Sequence, residues 1–118
     1  MDPKELVELY IHSMECQDKD ALLSLFADGA VYVEPFAGSP QTHQGKAEIR
    51  EWMDAQPEFR PDDLKITLDR LDVQQDSATA DWTCTASVFP APMRGRDFYT
   101  IRDGKISRLE TTMMPSGE

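Results

Sequence analysis

Ala30-Val31-Tyr32-Val33-Glu34-Pro35-Phe36, continued by Ala37-Gly38-Ser39-Pro40-Gln41-Thr42-His43-Gln44-Gly45, is the stretch on which the fold turns. In a pleated strand Val31, Val33 and Pro35 fall on one face, and Tyr32, Glu34 and Phe36 on the other. Glu34 is therefore a carboxylate with an aromatic on either side. Pro35 offers no ladder donor and holds Glu34 extended, so strand pairing is expected to stop here. Gly38, Pro40 and Gly45 then read as a loop. An acid at a strand end, beside aromatics and under a loop, is either a site group or a solvated strand end.

Upstream of this stretch, the sequence predicts two helices. Asp2, Pro3 and Glu5 form an N-cap, a first-turn proline and a capping-box partner, and Leu6, Leu9, Tyr10, Ser13 and Met14 make one apolar stripe. Tyr10 lies mid-stripe, where its hydroxyl needs a partner. Asp18 caps the second helix, whose apolar face is Ala21, Leu22, Leu25 and Phe26 and whose end is placed at Asp28-Gly29. Downstream, a third helix from near Gly45 packs Ile49, Trp52 and Met53.

From Leu64 onward only strands remain. Leu64, Ile66 and Leu68 alternate, then the phase slips to Leu71 and Val73, which predicts a bulge near Asp69-Arg70. Ala78, Ala80, Trp82, Cys84, Ala86 and Val88 point inward on the next strand. Asp103-Gly104 joins the last hairpin, Arg96 to Ile101 and Lys105 to Met114. Helices first and an antiparallel meander after them give an α+β domain over residues 1–118, three N-terminal helices on the concave face of one strongly bent, mainly antiparallel sheet. A cone of that kind encloses a cavity.

Composition narrows the function. The chain has 118 residues and a net charge of −10, which opposes binding to nucleic acid or anionic membrane. No apolar run is long enough for a membrane span. Two cysteines and two histidines without metal-ligand spacing argue against zinc, and unpaired thiols suit a cytoplasmic setting. No cofactor is expected. His12 and His43 read as solvated, with a lid over the pocket as the alternative for His43.

Tyr10-Ile11, Asp18-Lys19-Asp20-Ala21, Phe26-Ala27-Asp28-Gly29-Ala30, Val33-Glu34-Pro35-Phe36 and Gly104-Lys105-Ile106 together resemble the nuclear-transport-factor-2-like superfamily, in its SnoaL-like and ketosteroid-isomerase-like branch. The resemblance covers nearly the whole chain and implies the NTF2-like cone. It implies a fold shared by isomerases, cyclases, dehydratases and non-catalytic members, so activity has to come from the site. In the isomerases the general base is an Asp directly before Pro-Phe, which Glu34 matches. The oxyanion-hole Tyr of the first helix matches Tyr10, and the oxyanion-hole Asp matches Asp97. Met14, Phe26, Tyr32, Phe36, Trp52, Met53, Tyr99 and Met113 are the expected pocket lining. The chain departs from the isomerases in having Glu as base and Met53 and Met113 where they carry aromatics.

Enolisation needs a base near carbon and donors near the oxygen where charge develops. Asp97 shares its strand face with Tyr99 and Ile101, an environment that raises a carboxyl pKa and lets it donate. The plainer alternatives are a core role for Tyr10, a solvated end for Glu34, and an arginine partner (Arg94, Arg96 or Arg102) for Asp97. The expected partner is a small apolar ligand, steroid- or polyketide-like; a non-catalytic binder or dimerisation module is the alternative. Thr83, Thr85, Ser87 and Phe89, outward and uncharged, point to a homodimer through the convex face.

Overall fold

The computed structural model describes residues 2–35, 38–55 and 63–114. Its elements run α1 (Pro3–Cys16), α2 (Lys19–Ser24), β1 (Phe26–Glu34), β2 (Gln41–Gln44), α3 (Lys46–Asp54), β3 (Lys65–Val73), β4 (Ser77–Thr85), β5 (Met93–Arg102) and β6 (Lys105–Met113). The six strands form one sheet in the order β2-β1-β6-β5-β4-β3. Every neighbouring pair is antiparallel except β1 and β6. The result is the α+β, NTF2-like cone, with a mixed sheet. Helix α1 lies against β3 and β4, and α3 against β1 and β2.

Local chemistry explains most of these boundaries. Asp2 accepts from the Glu5 amide at 2.9 Å and Glu5 reaches back to the Asp2 amide, a complete capping box with Pro3 in the first turn. Leu6, Val7 and Tyr10 are the buried face of α1. Asp18 caps α2 through the Ala21 amide. Asp103 and Gly104 both have positive φ, 54° and 74°, so a two-residue turn whose twist suits the strands joins β5 to β6. The β3–β4 register slips between Leu68 and Arg70, the expected bulge. Among the described residues no helix is long and apolar enough to cross a membrane.

Three boundaries differ from expectation. Helix α2 stops at Ser24, and Phe26 begins a strand rather than completing a helical face. Phe26 pairs with Ile106, and the Ile106 amide donates to the Leu25 carbonyl at 2.8 Å, so sheet pairing overrides helical periodicity. Strand β4 ends at Thr85; the Phe89 amide closes a turn onto the Ala86 carbonyl, leaving Val88 65% exposed instead of inward. Residues Gln41–Gln44, read as loop, form edge strand β2. Its register sets His43 opposite Tyr32 and Gln41 opposite Glu34.

Candidate functional site

Cross-strand register builds the site. On the concave face Ala80 pairs with Asp97 and Asp97 with Thr111. Val33 pairs with Glu110 on the parallel neighbours, so one step along both strands brings Glu34 alongside Thr111. A polar row thus crosses an otherwise apolar surface. Above it opens a cavity of about 370 Å³. Tyr10, Ile11 and Met14 of α1, Tyr32 of β1 and Trp52 of α3 form one side. Leu64, Ile66, Trp82, Cys84, Phe89, Met93, Asp97 and Thr111 form the other.

Asp97 is 3% exposed. One carboxylate oxygen accepts from the Thr111 hydroxyl at 2.8 Å and the other from the Tyr99 hydroxyl at 3.0 Å. Burial raises its pKa to about 6, against the pull of hydrogen bonds from Thr111, Trp82 and Tyr99. Among the described residues no arginine pairs with it, and burial on the apolar strand face raises its carboxyl pKa as expected. Arg96 instead grips Asp81 with two hydrogen bonds, 2.6 and 3.0 Å, on the outer face. Burial and then the Asp97 charge push the Tyr32 and Tyr99 phenols upward, so both stay protonated donors.

Gly95 makes room for this arrangement. It pairs with Trp82, and a methyl group placed on it would sit 2.2 Å from Cζ2 of the indole. The missing side chain lets the ring lie flat over β5, from where it hydrogen-bonds Asp97.

Tyr10 lies 4% exposed, edge-on to Phe26 (centroids 6.0 Å apart) and Tyr99 (5.7 Å). It is a core tyrosine and a cavity wall at once. Glu34 is 1% exposed, not a solvated strand end, and its Oε2 lies 2.9 Å from Nε2 of His43. Glu34 is not among the residues that line the cavity. His43 leaves only 18% of its side chain exposed, correcting the solvated reading, and its ring lies 5.5 Å from that of Trp52. Trp52 in turn meets Tyr32 edge-on at 5.3 Å.

Of the expected lining, Met14, Tyr32 and Trp52 face the cavity. Phe26, Met53 and Tyr99 pack behind it in the core, 1%, 2% and 1% exposed. Met113 is 40% exposed near the end of β6. Phe36 lies outside the described residues. Phe89, expected on the convex face, lines the cavity instead. Thr111 and Gly95 are not among the residues expected at the site, and His43 is named only as a lid over the pocket, because each acquires its role only through strand register. A second, larger groove of about 560 Å³ runs over the outer face between Arg70, Asp72, Asp81 and Arg96. Its charges are already paired, Arg70 with Asp72 and Arg96 with Asp81.

Among the described residues no three His, Cys, Asp or Glu side chains gather to hold a metal ion. The Cys84 thiol is pushed up to about 11, first by burial and then by the Glu15 charge, whereas Cys16 is exposed. Ellman's reagent should therefore titrate one thiol quickly and the other only on unfolding. Two fast thiols would contradict the placement of Cys84.

The profile of the SnoaL-like domain matches residues 7–109. No curated protein sequence matches. A Sinorhizobium meliloti protein provisionally named a polyketide cyclase is 27% identical, with 92% of this chain and 94% of that one covered and a TM-score of 0.76. A Kribbella flavida protein provisionally named a ketosteroid isomerase is 21% identical, covering 97% and 78%, with a TM-score of 0.78. A Catenulispora acidiphila protein with a ketosteroid-isomerase-like fold, in complex with trimethylamine, is 19% identical over 95% and 86%, with a TM-score of 0.73.

Proposed function

The chain belongs to the SnoaL-like domain family, and from that premise we propose that its cavity binds one small, largely apolar carbonyl compound, steroid- or polyketide-like, and exchanges a proton with it without a resident cofactor. The observation that carries this reading is the buried carboxylate of Asp97 on the wall of an apolar cavity, with a pKa of about 6. A base works best when its pKa lies near the operating pH. The names of the S. meliloti and K. flavida relatives point to the same kind of chemistry. A volume near 370 Å³ falls at the small end of the ~300–1,000 Å³ usual for ligand pockets.

In this reading Asp97 takes the proton α to the carbonyl, and the Tyr10 and Tyr32 hydroxyls donate to the oxygen as charge develops there. Glu34, the base implied by the isomerase motif, holds His43 against Trp52 and so fixes that wall. The test is exchange of α-protons with deuterated water across a panel of apolar ketones and β,γ-enones. Asp97→Asn should lower the rate by about 10²–10⁴-fold, the usual worth of a positioned base. Glu34→Gln should lower it less than tenfold. Loss with Glu34→Gln alone would restore Glu34 as the base.

The alternative is a binder without catalysis. It is favoured by the donors already fixed on Asp97, which stabilise its charge and blunt its basicity. Absence of exchange in any ligand that binds would decide for it. We place the protein in the cytoplasm, consistent with its unpaired thiols, and propose a homodimer through the convex face, where Phe98 is 43% exposed. A monomer by light scattering at micromolar concentration would remove the dimer.

A further inference from the structure

Among the described residues the Asp97 carboxylate has no counter-ion. Its donors, the Thr111 and Tyr99 hydroxyls and the Trp82 indole, are all neutral. Among the described residues no lysine, arginine or histidine pairs with it, and none lines the cavity. A carboxylate has about four acceptor positions, so three donors leave one, and Asp97 lies on the cavity wall. A buried charge in that condition is costly unless something positive arrives to meet it.

The walls are suited to a positive visitor. Tyr10, Tyr32, Trp52, Trp82 and Phe89 bring five aromatic rings to one small space. The negative face of an aromatic ring attracts organic cations, Trp most strongly. Alkylated ammonium ions present an apolar envelope, so they enter such a space without the desolvation cost of a bare ammonium.

We propose that the polar group recognised in this cavity is a hydrophobic ammonium ion, with Asp97 as its counter-ion and the aromatic rings as its walls. The proposal rests on the binder reading of the cavity, in which Asp97 keeps its charge rather than taking a proton, and it assigns the chemical class of the ligand. It also predicts a pH dependence. The titratable groups around Asp97 are Tyr10 from α1, Tyr32 from β1, Cys84 from β4 and Tyr99 from β5, with Glu34 and Glu15 one layer further out. His43 is turned to Glu34. None of those that line the cavity gains positive charge as pH falls, so the change of charge expected within the cavity on acidification is the protonation of Asp97.

The chain's two tryptophans both line the cavity, so intrinsic fluorescence reports on this site. The probes are 4-hydroxy-N,N,N-trimethylanilinium and its uncharged isostere 4-tert-butylphenol, titrated into the full chain at pH 7 and pH 5. The cation should bind at least tenfold more tightly at pH 7 and lose at least fivefold at pH 5, while the isostere stays unchanged. In Asp97→Asn the two probes should bind alike at both pH values. An isostere that binds the wild type as tightly as the cation would overturn the ammonium assignment and leave the ligand-site reading standing. A cation preference that survives in Asp97→Asn would also overturn it, by tracing the preference to the overall charge of −10. Binding of neither probe would remove both readings. If Asp97→Asn does not fold, the wild-type pH series and the isostere comparison decide alone.

Discussion

Between about pH 4 and pH 6 the wild type is expected to lose stability as the pH rises, relative to Asp97→Asn, by about 3 kcal/mol in total. The Asp97 pKa is raised from 3.8 to about 6 by burial. In that window the folded protein holds a proton that the unfolded chain has released. The slope of stability with pH is then negative, the reverse of the usual carboxylate. Below the window both states are protonated, and above it both are ionised with the full cost in place. Asp81, held below the ordinary range by Arg96, has the opposite sign: its stabilisation fades only as pH falls towards acid. It contributes equally to both proteins and cancels in the comparison. Urea unfolding at five pH values from 3 to 7.5 measures it. Parallel curves would mean that Asp97 is not the buried, ionised group described here.

Gly95→Ala should be a severe substitution for so small a change. The new methyl would meet the Trp82 ring at 2.2 Å from Cζ2 and 2.7 Å from Cε2, distances at which something must move. Gly95 does not need positive φ, so the conflict is steric rather than conformational. Overpacking of this kind costs about 1–3 kcal/mol. The indole would also be driven from Asp97, and a buried carboxylate that loses a donor forfeits about 1–3 kcal/mol more. Thermal unfolding should show the loss, and tryptophan emission the displaced ring. Trp82→Phe shortens the ring that is struck, so the double variant should be less damaged than the sum of the two singles. Additive losses would show that ring and glycine do not meet.

How much of this was legible before the fold was known follows the range of the interactions. The capping box at Asp2 and Glu5, the Asp103-Gly104 turn and the bulge near Asp69 are decided within a few residues, and each stands where the sequence put it. Phe26 did not, because its helical spacing competes with a strand partner at Ile106 that no local rule reveals. The site divides the same way. Tyr10 sits mid-stripe on a helix and Asp97 on an apolar strand face, both visible as periodicity. His43 lies on an edge strand of Gln, Thr and His that shows no apolar alternation, so nothing local marks it as a strand or turns its ring inward. Its contact with Glu34 exists only once β1 and β2 are in register. Gly95 looks like any loop glycine until Trp82 is laid across it.

The parallel pairing of β1 with β6 joins an early strand to a late one. On the ribosome, β1, β2 and α3 leave the exit tunnel with an unsatisfied strand edge and a half-formed row of aromatics, and they wait for the last strand. Meanwhile β3 to β6 can zip up as successive hairpins, each with its neighbour close in sequence. The topology predicts that the N-terminal half docks late, onto the C-terminal meander, and that a nascent chain stalled before Thr111 presents an open strand edge rather than a binding site.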